Sequence, residues 1–236
     1  AANEDKRRFI LATTHDLRSP MSTMDQLVSV LLDGYAGPLN PKQQDFLQKI
    51  RDRGQQQLEL ISDLLNLAAE LEGFAVLRER TEVSIHEVFD RQVALLHPAC
   101  EAKGVVCEAR RGTEPMVRRA VAGDIEKILG NLFSNAVKYT PAGGRVQISL
   151  EAEDGHCTLR VSDTGIGIPP ESMPNLFKEY YRAPNAKEAT RHGTGLGLAL
   201  VQQLVRKYDG RINVESRLDE GTTFEVVLPI NEGGRA

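Results

Sequence analysis

The chain has 236 residues, 41% of them hydrophobic, enough for one large or two modest domains. Its 29 basic and 33 acidic residues leave a net charge of −4, which argues against a general nucleic-acid binder. With no Trp and 5% aromatics it also lacks the platforms on which bases stack. No apolar run approaches the ~20 residues that a membrane span needs, so no membrane contact is expected of these residues.

No signal peptide is visible in the opening AANEDKRRF, which is charged and helix-compatible. The expectation is a cytoplasmic fragment of a longer protein, whose parent is free to be membrane-attached, or a protein served by a separate sensor. Cys100, Cys107 and Cys157 form no CxxC pair and no metal spacing, and read as reduced thiols. A redox-sensing role for one of them is the lesser alternative.

Residues 5 to 33 read as a long helix. Ile10, Thr14, Leu17, Met21, Met24, Val28 and Leu31 repeat at alternating intervals of four and three, a heptad seam. GYAGPLNP, from Gly34 to Pro41, is a turn. A second helix follows from about Pro41 to Leu71, with its own seam through Leu47, Ile50, Gly54, Gln57, Ile61, Leu64, Ala68 and Leu71. Leu11, Leu27, Phe46, Leu58 and Leu65 widen the stripe. Two such helices cannot close a core alone, so the economical solution is a homodimer with a four-helix bundle. An intramolecular arm packed on the rest of the chain is the alternative.

His15 lies one position past the seam, about 100° from the core direction on a helix of 3.6 residues per turn. Pro20 removes the N–H that would bond the Asp16 carbonyl, which predicts a kink there. Asp16 beside His15 can fix one imidazole tautomer and accept a proton, leaving the other nitrogen as a nucleophile. A solvent-facing histidine without a role is the plain alternative.

The heptads end between Gly73 and Thr81, and a domain boundary is placed near residue 76, giving domains 1–75 and 76–236. Ser84 with Glu87 reads as a capping box opening a helix to about Lys103. Strands are expected at Val105–Arg110 and Pro115–Val121. Asp124 is read as the cap of the next helix. Strands follow at Arg145–Glu153 and Cys157–Ser162, then a polar segment over 163–194. A helix from about Gly195 to Tyr208 and strands at Gly210–Arg217 and Thr222–Pro229 close the chain. Helices with mostly antiparallel strands define an α+β sandwich with one helical layer.

GNLFSNAVKYT, Gly130 to Thr140, reads as a helix with Asn131, Asn135 and Lys138 at i, i+4 and i+7 on one face. Leu132, Phe133, Ala136 and Val137 cover another face. Two amides and an ammonium suit a Mg²⁺ ion wrapped in phosphate oxygens, which needs only one or two oxygens from the protein. An amphipathic surface helix is the plain alternative.

DTGIGIP, Asp163 to Pro169, follows an apolar strand. Asp163 can accept from an exocyclic amine such as that of adenine, and Gly165 and Gly167 let backbone pass close beneath a flat ring. GTGLGLAL, Gly193 to Leu200, opens a helix whose N–H groups can hold phosphate. KEATRHG precedes it rather than a strand, so it is not a dinucleotide fingerprint, and no GxxxxGK[ST] occurs. Between these glycine motifs, Arg182, Lys187, Arg191 and His192 suit a lid closing over triphosphate; a loop without a role is the alternative.

These stretches together resemble the catalytic core of a sensor histidine kinase of two-component systems. HDLRSP is similar to that family's phosphoacceptor box, NLFSNAVKYTP to its N box, VSDTGIGIP and GTGLGLAL to its two glycine boxes, and LFKEYYR to its F box. The likeness covers nearly the whole chain, in the family's order. It implies an N-terminal helical hairpin forming a dimeric four-helix bundle, then a GHKL-type ATP-binding α/β sandwich related to gyrase B and Hsp90. By that resemblance His15 is the phosphoacceptor and Asp16 its acid–base partner. Asn131 and Asn135 hold Mg²⁺, with Asn135 the stronger direct ligand. Lys138 touches phosphate, Tyr139 packs near adenine and Asp163 binds its amine. Gly165, Gly167, Gly193, Gly195 and Gly197 shape the ATP pocket with Ile168, Thr194 and Leu196 beside them. Phe177 and Tyr180 anchor a lid carrying Arg182 and Arg191.

Two departures stand out. Asp16 replaces the more usual Glu, and Ser19 stands where Thr or Asn often positions the water that hydrolyses the partner's acyl phosphate. The implied partner is the receiver domain of a response regulator, and Ser19, which keeps a hydroxyl, leaves phosphatase activity toward it open. An ATP-operated clamp is a rival reading, but it needs a water-activating Glu where Asn131 stands. A scaffold with a degenerate pocket is another, against which the intact boxes argue.

Overall fold

The computed structural model describes residues 20–51, 53, 54, 57, 80–190 and 193–230. His15, Asp16, Ser19 and Arg191, with His192, lie outside the described residues, as do all positions before Pro20. Among the described residues, no helix is long and apolar enough to cross a membrane. The chain divides into two compact units.

The first unit is a helical hairpin. Helix α1 is described over 20–32 and α2 from 41 to 51, with 53, 54 and 57 helical beyond it. Gly34 at φ +82° and Gly37 at φ +103° turn the chain between them, conformations that a Cβ resists. Asn40 caps α2. Its Oδ1 accepts from the Gln43 N–H at 2.9 Å, while Gln43 Oε1 accepts from the Asn40 N–H at 2.9 Å. Pro41 then fills the first helical position, where its missing N–H costs nothing. Gly54 faces α1: a Cβ there would lie 3.8 Å from Met21 Cε.

The second unit is the α/β sandwich. Strands β1 (Thr81–Ser84) and β3 (Val117–Ala120) pair antiparallel as a small separate ladder. The main sheet has the order β2-β4-β5-β7-β6, from β2 (Val106–Arg111), β4 (Arg145–Glu153), β5 (His156–Asp163), β6 (Arg211–Arg217) and β7 (Gly221–Pro229). β2 runs parallel to β4; every other pair is antiparallel. Helices α3 (Ile85–Lys103), α4 (Ala122–Tyr139) and α6 (Gly197–Lys207) contribute to the same core as the sheet. Alternate residues of β4, Val146, Ile148 and Leu150, point into it. From α4 come Ile125, Ile128, Leu129, Leu132, Phe133, Ala136 and Val137, one continuous helical stripe. Phe89 and Phe133 meet edge to face at 6.0 Å.

The α+β class and the order of hairpin then sandwich hold. Ser84 accepts from the Glu87 N–H at 3.3 Å and α3 begins at Ile85, as the capping pattern indicates. Two local expectations are corrected, and one strand is added. Asp124 does not cap α4: Val121 occupies the cap without a side-chain bond, and Asp124 is buried inside the first turn. There its Oδ2 accepts from Tyr208 Oη and Lys207 Nζ, each at 2.9 Å. Arg118, buried beside them, donates to the carbonyls of Tyr208 and Pro229. β1 was not foreseen, because its four residues lack clear alternation. Cys100 and Cys107 form a disulfide between α3 and β2, so only buried Cys157 is a thiol among the described cysteines. Burial pushes that thiol up to about 12.

Candidate nucleotide site

α4 sets out the polar stripe that its spacing requires. Asn131, Asn135 and Lys138 are half-exposed, while Leu132, Phe133, Ala136 and Val137 are buried. Asn131 Nδ2 donates to the Lys127 carbonyl at 2.8 Å, which fixes the amide and directs its Oδ1 toward α6. A Cβ built on Gly197 would stand 2.4 Å from that Oδ1. Only glycine allows α6 to begin so close to the amide. No side-chain hydrogen bond caps the start of α6, the positive end of that helix. The Lys138 ammonium lies 5.6 Å from the Tyr139 ring centre.

The first glycine loop is packed against the end of α4. Ile166 N–H donates to the Tyr139 carbonyl at 3.1 Å, and a Cβ on Gly165 would come within 2.6 Å of the same oxygen. On its other side the loop meets the β6–β7 turn. Gly167, at φ +63°, passes so close to the Arg217 carbonyl that a Cβ would overlap it at 1.9 Å. Ser216 Oγ accepts from the Ile168 N–H at 2.8 Å and donates to the Gly221 carbonyl at 2.9 Å. Ile168 itself packs on the core. Sequence reasoning missed Ser216 and Gly221; the turn signal in DEGTT was the available hint.

Asp163 ends β5 beneath this loop. Its Oδ1 accepts from the Gly165 N–H at 2.8 Å. Burial raises its pKa to about 6, despite bonds from the Gly165 and Thr222 N–H groups that favour the charged form. It is therefore a carboxylate at neutral pH, held in a partly dry position and suited to accept from a donor with little competition from water.

The segment after the loop contains more structure than its polarity suggested. A 3₁₀ turn covers Pro170–Asn175, and α5 covers Pro184–Ala189. Phe177 is partly buried against the core, whereas Tyr180 is exposed at φ +61°. A Cβ on Gly195 would sit 2.7 Å from the Tyr180 carbonyl carbon, so the second glycine motif passes tightly under this turn. Leu196 is buried at the start of α6, Gly193 has φ +128° and Thr194 is half-buried. Arg182 does not reach outward. Its Nη2 donates to the carbonyls of Ala186 at 2.8 Å and Thr190 at 2.6 Å. Burial raises the pKa of the Tyr139 phenol, with Arg182 opposing.

Asn131, Asn135, Lys138, Tyr139, Asp163, Gly165, Gly167, Arg182, Gly195 and Gly197 thus gather around α4, the first glycine loop and the start of α6. An amide-bearing helix beside a glycine-opened helix start, in an α/β sandwich that also holds a semi-buried carboxylate, is compatible with a nucleotide-handling ATPase. Residues 120–232 match the family "Histidine kinase-, DNA gyrase B-, and HSP90-like ATPase". Residues 5–73 match the "His Kinase A (phospho-acceptor) domain". With both segments in this order, the chain belongs to the sensor histidine kinases.

Among its relatives is the circadian input-output histidine kinase CikA of Synechococcus elongatus, 34% identical over 231 residues, covering 97% of this chain and 30% of that protein. The histidine protein kinase DivJ of Caulobacter vibrioides is 33% identical over 229 residues, covering 95% of this chain and 37% of that protein. A crystal structure of full-length ShkA in complex with AMPPNP superposes with a TM-score of 0.71 at 26% identity, covering 94% of this chain and 46% of that one. The chain spans about a third of the length of the curated relatives.

Proposed function

We propose that this chain is the ATP-dependent core of a protein-histidine kinase, with residues 1–75 as the dimerisation and phosphoacceptor part and 76–236 as the ATP-binding part. One observation carries the reading more than any other. Gly197 lets the start of α6 pass close to Asn131 Oδ1, which puts the positive end of a helix and a hard oxygen ligand in one place. That arrangement fits a metal-bound triphosphate. The AMPPNP complex of ShkA supports the same class of ligand.

In this reading Asp163 accepts from the adenine amine, and the first glycine loop lies along the ring. Asn131 and Asn135 would hold Mg²⁺ through their amide oxygens, and the ion neutralises phosphate charge. Lys138 adds a positive charge at the phosphates. A neutral His15 nitrogen attacks the γ-phosphorus in line; the N–P bond forms as the bond to the β-phosphate oxygen breaks and ADP leaves. Asp16 accepts a hydrogen bond from the other ring N–H and stabilises the imidazolium as charge develops, then takes that proton to leave a neutral phosphoimidazole. Catalysis comes from positioning and charge neutralisation.

The phosphoryl group then passes to an aspartate on a response-regulator receiver domain docked near His15. Ser19 supplies a hydroxyl from which a water could be oriented for the regulator's dephosphorylation. The apolar residues left on the hairpin support a homodimer.

Incubation with Mg·ATP should give acid-labile, alkali-stable phosphate on the protein, lost to background in His15→Gln while ATP binding persists. Label that survives that substitution overturns His15 as acceptor.

A further inference from the structure

The short helix α5 is fastened to the first glycine loop by one side chain. Asn185 Nδ2 donates to the Gly167 carbonyl at 2.9 Å, with the Ile166 carbonyl at 3.5 Å. Gly167 is already pressed from its other side by the Arg217 carbonyl, at a φ that only glycine adopts cheaply. Its peptide is therefore gripped between the β6–β7 turn and Asn185. Arg182, one turn earlier, closes α5 through the Ala186 and Thr190 carbonyls. The helix consequently docks as a preformed piece.

The docked state is incompletely satisfied. Asn185 Oδ1 and Arg182 Nε are both buried without a hydrogen-bond partner. Orphaned polar atoms oppose burial, so the docking is held by few bonds and burdened by two losses. A contact balanced in this way holds a segment in place yet lets it go at modest cost.

We propose that Asn185 is a positioning residue, a latch between α5 and the first glycine loop that sets how fast nucleotide leaves the site. This rests on the nucleotide reading above. Nothing in the family's motifs as recognised in the sequence points to this side chain; it stands between the F box and the second glycine box. The latch acts through backbone. By holding the Gly167 carbonyl it fixes the loop that follows Asp163.

Two variants test it in the full chain. Asn185→Asp keeps the shape but replaces the donor with a carboxylate facing a carbonyl. Asn185→Ala removes the donor and the orphaned oxygen together. Stopped-flow release of a fluorescent ATP analogue should be about tenfold faster in both. KM for ATP should rise by a similar factor, with kcat for phosphorylation within about twofold of wild type. A merely structural role would instead lower kcat and melting temperature together. Amide hydrogen exchange without nucleotide gives an independent measure. Exchange should quicken in α5 and at Gly167 and Ile168 in both variants, and stay unchanged at Leu132 and Phe133. Wild-type release rates, or wild-type exchange in α5 and the loop, overturn the latch. A wild-type protein that binds no ATP analogue overturns the nucleotide reading and the kinetic role with it, while the exchange data still show whether Asn185 fastens α5.

Discussion

On the hairpin, Met24, Leu27, Phe46 and Ile50 are 56%, 60%, 64% and 55% exposed, and among its described residues only Val28 falls below a tenth. In the sandwich, Ile125, Ile128, Leu132, Phe133, Val146 and Leu150 are all at or below 1%. The sandwich's own exposed apolar residues, Leu95, Val106, Val117, Tyr180 and Leu218, are spread over separate elements, as on any soluble surface. The two units obey the same hydrophobic patterning, but only one closes it within a single copy. The sandwich closes its own core. The hairpin has a stripe that calls for a second copy, and its heptad spacing supplies the geometry for one.

The largest effect should come from attacking the stripe. Phe46→Ser removes an apolar side chain twice per dimer, so the dimer should weaken by roughly 3–6 kcal/mol. Sedimentation velocity would show monomer, with ATP affinity unchanged; a dimer of undiminished stability would break the comparison. Next comes Asp163→Asn, which removes the charged acceptor. ATP affinity should fall by about 1.5–3 kcal/mol, roughly 10- to 100-fold by calorimetry, with self-association intact.

The same carboxylate makes binding pH-dependent. Its pKa is raised from 3.8 to about 6 by burial, so ATP affinity should drop as pH falls through 6. Stability without ligand should move the other way. Between about pH 4 and 6 the folded state binds more protons than the unfolded state, so this group's contribution declines as pH rises across that window. Chemical denaturation at a series of pH values checks the sign.

The smallest effect is expected at Lys103, whose Nζ donates to the Val137 and Lys138 carbonyls at 2.8 and 2.6 Å and neutralises the end of α4. Lys103→Met should cost about 1 kcal/mol of stability by urea titration, sharpening the contrast because the hairpin's association should not respond.

Much of this was legible in residue order. α4 declared itself because its apolar and polar residues separate cleanly at helical spacing, and the glycines of both motifs sit where backbone meets backbone or an amide. Contacts between distant segments were not legible. Asp124 looks like a cap by position, yet Tyr208 and Lys207, more than eighty residues on, draw it into a buried network. Cys100 and Cys107 look unrelated until the turn at Gly104 brings α3 back beside β2. Arg182 was assigned to phosphate by its charge, and only its neighbours' carbonyls show where the guanidinium goes. Asn185 carried no signal of its own, since a polar residue in a polar stretch predicts nothing about which carbonyl it meets.

The network around Asp124 has a mechanical meaning. α4 and α6 run in opposite directions: the start of α4 is bolted to the end of α6 through Asp124, Lys207 and Tyr208, while Asn131 further along α4 faces the beginning of α6 at Gly197. The pair is pinned by buried polar contacts at one place and brought close by a glycine at the other. On the nucleotide reading proposed above, the spacing of the two helices at Asn131 and Gly197 is set in part by side chains that never touch the ligand.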